Sequence, residues 1–160
     1  MFYRSKAVDS LLGDMDTPMR TSLNADIWNL LHDARIVGAV GTVPGDVRLS
    51  ISMNYLRRRF PDVGELFILT LHECTCLAYD PDDPPGSITD LQAIATAKPE
   101  ILKAQDWTDP NKVYCVSGTL RVLASAFSLA LDNGRGTTFD ELASVSEAYW
   151  KEFSERSAST

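Results

Sequence analysis

Residues 47 to 54 read Val-Arg-Leu-Ser-Ile-Ser-Met-Asn, apolar and polar in strict alternation. On a strand, successive side chains leave on opposite faces, so Val47, Leu49, Ile51 and Met53 share one face. Arg48, Ser50, Ser52 and Asn54 then share the other. A strand with one apolar and one polar face belongs to an antiparallel sheet packed on one side only.

The rhythm before this stretch is different. Ser22 is a helix cap, and Leu23, Ile27, Leu30, Leu31 and Ala34 follow at helical spacing. After "LLHDAR" the period drops to two, and two strands meet at Pro44-Gly45-Asp46, where proline fixes φ and glycine permits positive φ. "YLRRRF" interrupts as a helical turn, and "LFILTLHECTCLAY" reads as one long third strand. "DPDDPPGS" is a loop; Ser87 with Asp90 resembles a capping box for a short helix to about Ala97, and Pro99 opens another helical turn at "PEILKAQ". "KVYCVSGTLRVLA" reads as a hairpin turning at Ser117-Gly118. Residues 119–131 fit strand or helix; strand is preferred, because the hairpin leads into them and Asn133-Gly134 ends them as a turn. Thr138 to Glu141 is a capping box, and Leu142, Val145, Tyr149 and Phe153 form the stripe of a last helix.

Neighbouring strands without helices between them predict an α+β fold. Its expected form is an antiparallel sheet of five or six strands packed by an N-terminal and a C-terminal amphipathic helix. The 160 residues suit one domain, with 1–20 and 154–160 loosely ordered.

Charge and cysteine content bound the function. A net charge of −7 argues against nucleic acid, whose binding rests on neutralised phosphates, and suits solubility or a basic protein partner. Aspartates interrupt the first residues, so they do not read as a secretory signal, and apolar runs are too short to span a bilayer. Three cysteines without an export signal imply free thiols in the cytoplasm.

His72, Cys74 and Cys76 stand two apart, so one strand would place all three on one face. Three ligands on an extended strand span ~13 Å, too far for one zinc ion at ~2.3 Å per bond. Half-buried thiols acting as small hydrophobes are therefore expected, with a metal site as the alternative. Asp80, Asp82 and Asp83 fail as a calcium loop, because Pro84 and Leu91 occupy ligand positions. They remain, with Trp107, candidate partner contacts. Of Arg57, Arg58 and Arg59, at most two can share a surface, and pairing with the chain's own acids is expected. His32 beside Asp33 reads as a favourable helix-end histidine rather than an acid–base pair. There is no phosphate loop, nucleophile elbow or zinc-protease motif, and no cofactor is implied.

The helix ending in "LLHDARI", the hairpin through "RRRF" and the strand "FILTLHECTCLAYDP" together resemble small uncharacterised bacterial domains. Some domains of that look are immunity proteins, which neutralise toxins delivered by neighbouring bacteria. The resemblance implies a non-enzymatic interaction protein and transfers no functional residue. The alternative is a small-molecule-binding domain or enzyme, with a pocket between sheet and helices using His72, Arg58 or Tyr55. A third reading, a subunit of a larger assembly, predicts a homo-oligomer.

Overall fold

The computed structural model describes residues 19–20, 24–105 and 110–158. The expected cap at Ser22, the loosely ordered start and Trp107 lie outside these residues. The fold is α+β with antiparallel sheets and a C-terminal helix. In place of one sheet there are two.

The larger sheet holds β1 (Met19–Arg20), β2 (Arg35–Gly41), β3 (Gly45–Ser52), β4 (Leu66–Cys74), β9 (Ala126–Leu131) and β10 (Gly136–Thr137), in the order β1-β9-β4-β3-β2 with β10 also on β9. The smaller holds β5 (Cys76–Pro81), β6 (Ile101–Gln105), β7 (Asn111–Cys115) and β8 (Gly118–Leu123), ordered β5-β8-β7-β6. The helices are α1 (Asn24–Leu30), α2 (Asn54–Arg57), α3 (Leu91–Ala97) and α4 (Phe139–Ala158).

The alternation folds as its period dictates within β3, where Val47, Leu49 and Ile51 are buried and Arg48 is exposed; the strand ends at Ser52, so Met53, also buried, caps α2 and the exposed Asn54 begins it. Residues 119–131 are strand, divided between β8 and β9. Gly118 already pairs with Cys115 in the ladder, so the hairpin turns at Val116-Ser117 and not at Ser117-Gly118. A Cβ on Gly118 would stand 2.6 Å from the Asp80 carbonyl oxygen, which suits only glycine there.

The long third strand is where the sequence misleads. "LFILTLHECTCLAY" breaks at Thr75 into β4 and β5, which belong to different sheets. β8 and β9 make the same passage opposite them, and Thr75 N–H donates to the Leu123 carbonyl at 2.8 Å. The bend begins with a β-bulge. Gly45 pairs with Cys74 but Val47 pairs with Leu71, so Asp46 alone opposes both His72 and Glu73. Glu73 takes φ +50°, which resets the alternation.

Two further expectations are corrected. α3 is capped by Asp90, whose carboxylate accepts from Ala93 N–H at 2.9 Å, and not by Ser87. Ile88 is held extended by reciprocal backbone bonds with Tyr79, so no helix can start at Ser87. Past Pro99 the chain forms β6 rather than a helical turn, because Lys98 at φ +50° ends α3 and β7 supplies a ladder for Ile101–Gln105.

One cluster of buried side chains draws on both sheets and on α1, α2 and α3, including Ile27, Trp28, Leu31, Leu56 and Ile94. Trp28 packs edge-on to Phe127, with ring centroids 6.2 Å apart. α4 enters this core through Phe139 and Leu142, while Val145 and Tyr149 pack partly against it. Thr138 Oγ1 accepts from Glu141 N–H at 3.0 Å, the first half of the expected capping box; Glu141 turns its own carboxylate to the Thr137 hydroxyl instead. The helix runs on through residues 154–158 with every side chain exposed, and Phe153 lies 46% exposed rather than in the core stripe.

Candidate functional site

The bulge at Glu73 decides what His72 can meet. It puts Cys74 in the core at 0% exposure, while the His72 side chain stays on the other face at 30%. Cys76 lies beyond the break, in the smaller sheet. The three residues therefore do not share a face. The thiols turn to backbone carbonyls, Cys74 to Cys76 at 3.3 Å and Cys76 to Arg121 at 3.9 Å. Burial raises the Cys74 thiol pKa above its ordinary value, and that of Cys115 to about 12. Among the described residues no group of three or more His, Cys, Asp or Glu could hold a metal ion.

His72 finds oxygen partners instead. Its Nε2 lies 2.8 Å from Ser128 Oγ and its Nδ1 3.9 Å from an Asp46 carboxylate oxygen. β3, β4 and β9 are consecutive in the sheet, so three neighbouring strands supply the three side chains. Nothing local in the sequence marks this group. Its one trace is Ser128, a polar residue at an outward position of the apolar strand "AFSLAL".

Tyr55 and Arg58 stand elsewhere. Asp46 and Ser52 are six residues apart on β3, roughly 20 Å at strand rise, and Tyr55 lies beyond Ser52. Among the described residues His72 therefore stands apart from Tyr55 and Arg58, and the expected pocket could draw on one or the other but not on all three. Tyr55 and Arg58 do share a depression of about 440 Å³ with Asp33, Arg35, Met53 and Glu100. Arg35 and Glu100 pair across it at 3.0 Å. Tyr55 Oη donates to the His32 carbonyl at 2.9 Å, and its pKa is pushed up to about 12 by burial, then by the charges of Asp33 and Tyr149.

His32 is structural. Its Nδ1 lies 2.8 Å from the Leu102 carbonyl oxygen. Asp33 takes φ +70°, which carries its carboxylate to 3.3 Å from His32 Nε2, a contact that adjacent residues inside a helix would not make.

The arginine triplet divides its work. Arg57 is buried, Arg59 bonds Glu152 at 2.8 Å and lies 5.3 Å from the Tyr149 ring centroid, and Arg58 stays exposed. Asp80 is also committed: Arg121 grips it at 2.7 and 3.2 Å and reaches Ser87 at 2.9 Å. Asp82 and Asp83 are exposed and make no ion pair among the described residues.

The second notable surface is aromatic, and sequence reading placed half of it in the core. Tyr149 packs at a tilt against Tyr55 with centroids 4.7 Å apart, and Trp150 meets both edge-on, at 5.0 Å and 6.0 Å. Phe153 closes the group 5.6 Å from Trp150. Trp150 and Phe153 remain 42% and 46% exposed, the only exposed aromatic residues among the large hydrophobics of the described surface. Among the described residues no helix is long and apolar enough to cross a membrane. Comparison with protein-family models, with curated proteins and with solved structures returns no match for this chain.

Proposed function

We propose that the chain is a protein-interaction domain that acts by docking, in the manner of an immunity protein that neutralises a toxin. The observation that carries this reading is the exposure of Trp150 and Phe153 on α4, above Tyr149 and Tyr55. Tryptophan, tyrosine and arginine dominate interface hot spots, and rings already packed against one another lose little freedom on binding. A net charge of −7, with Asp82 and Asp83 in no ion pair among the described residues, favours a basic partner and speeds its approach. Asp80 adds little to that attraction because Arg121 pairs with it.

The test is co-expression with a toxin encoded beside the gene for this chain, scored as growth. Wild type should protect, and the double variant Trp150→Ala/Phe153→Ala should not. Undiminished protection by that variant would remove α4 from the interface and this reading with it.

A second reading, an enzyme, has one observation in its favour: the 2.8 Å contact between Ser128 Oγ and His72 Nε2.

A further inference from the structure

The outer face of the larger sheet carries a hydroxyl, an imidazole and a carboxylate in the order an acyl-transfer site needs. Ser128 Oγ stands 2.8 Å from His72 Nε2, and His72 Nδ1 stands 3.9 Å from Asp46 Oδ2. Such a trio is recognised by geometry and role, whatever the order of its members in the chain. The contact between base and orienting acid is commonly long before substrate arrives.

The irregularity of the sheet builds the group. Because of the bulge, Asp46 faces two residues of β4. Glu73 N–H donates to Asp46 Oδ1 at 2.9 Å, which leaves Oδ2 for the imidazole. Ser125, just before β9, then holds the bulge: its N–H donates to the His72 carbonyl at 2.9 Å and its Oγ to the Glu73 carboxylate at 2.6 Å. Arg48, Thr70 and Ser128 occupy one cross-strand row. Arg48 is exposed and has no ion-pair partner among the described residues, and its backbone stands roughly 10 Å from that of Ser128, two strand spacings away along the row.

On the second reading given above, we infer that Ser128 is a nucleophile toward carboxylic esters, with His72 as its base and Asp46 orienting the imidazole. With Nδ1 protonated toward Asp46, Nε2 takes the hydroxyl proton as Oγ bonds to the ester carbonyl carbon. The bond to the leaving alkoxide breaks, and Nε2 returns the proton to release an alcohol. Water repeats the sequence on acyl-Ser128, giving a carboxylic acid and restoring the hydroxyl. Arg48, two strands away in the same row, is the exposed cation of that row whose long side chain could swing toward the developing oxyanion.

A fluorophosphonate probe on the full chain tests this, because it joins phosphorus to an activated serine oxygen with loss of fluoride. Peptide mapping should find one adduct, on Ser128. Labelling should slow about a hundredfold in His72→Gln and stay unchanged in Ser144→Ala. No adduct, an adduct on another serine, or an equal rate in His72→Gln would each overturn the inference. Should His72→Gln not fold, the wild type must instead release one rapid equivalent of nitrophenolate from p-nitrophenyl acetate, and Asp46→Asn must lose most of that burst. Trp150→Ala should label like wild type, so failure of the chemistry and failure of the docking face are separate results.

Discussion

Arg57 and Asp132, 75 residues apart in sequence, meet at 2.8 Å with the arginine side chain 1% exposed. The guanidinium also donates to the carbonyls of Asp62, Val63 and Leu66 at 2.9, 3.3 and 3.1 Å. The carboxylate accepts from Glu65 and Leu66 N–H at 2.8 and 3.0 Å. One ion pair thus fastens the loop after α2 to the end of β9. The backbone passes so close that a Cβ on Gly64 would lie 2.3 Å from the guanidinium.

Removing the arginine strands a partly buried carboxylate and three carbonyls. Arg57→Ala should therefore cost about 3–5 kcal/mol. Arg57→Lys should recover little of it, because an ammonium cannot serve diverging acceptors as a planar fork does. Urea denaturation decides the matter, and a midpoint unmoved in Arg57→Ala would show the network to be idle.

Acid should attack the same region. Hydrogen bonds from Arg57, and next from Glu65 N–H, hold the Asp132 carboxyl at a pKa of about 2, against 3.8 ordinarily. Arg135 and Asn133 hold Asp62 at about 2 in the same way. A pKa depressed on folding means that the unfolded chain binds protons first. The stabilisation is thus complete above the unfolded value and drains away as pH falls through the folded one. Melting temperature should fall between about pH 4 and pH 2 on account of these two groups. In Asp132→Asn the fall over that window should shrink.

What the sequence made legible is what repeats. Val47, Leu49 and Ile51 announce a half-buried strand because period two buries all three on one face. The end of the strand at Ser52 was not legible, because buried Met53 keeps the same rhythm as it caps α2. The turn at Pro44-Gly45 and the Thr138 cap were readable because their residue types have local conformational preferences. The bulge was not, since glutamate carries no preference for the φ of +50° that Glu73 adopts. That one residue sends Cys74 inward, leaves His72 outward and undoes the reading of a shared face. The division into two sheets escaped for a like reason: a strand that bends and one that continues have the same apolar pattern. Asp46, His72 and Ser128 come together only through strand order, which no local pattern encodes. Phe153 fits the spacing of the α4 stripe, but the core ends before that turn of the helix.

The thiols give a clean check on the bend. Cys74 and Cys115 are buried and their pKa values raised, whereas Cys76 is partly exposed. Because the thiolate is the reactive form, iodoacetamide at mildly alkaline pH should modify Cys76 first in the native protein. The other two should follow only as the chain unfolds. Mass spectrometry of timed samples would reveal a contrary order, and early modification of Cys74 would mean that β4 and β5 do not part at Thr75 as described.

The two exposed rings of α4 should matter for docking far more than for folding. Trp28 is wholly buried, so Trp28→Ala should cost about 3–5 kcal/mol. Trp150 touches Tyr55, Tyr149 and Phe153 but leaves 42% of its surface in water. Its truncation should cost about 1 kcal/mol or less, as a surface change that removes edge-on ring contacts and opens no cavity. Phe153→Ala should cost less again, since it lies on a turn of α4 whose other side chains are all exposed. A folding core and a docking face thus predict opposite profiles at tryptophan. If Trp150→Ala lowers the melting temperature as much as Trp28→Ala does, the α4 rings belong to the core and the interaction surface lies elsewhere.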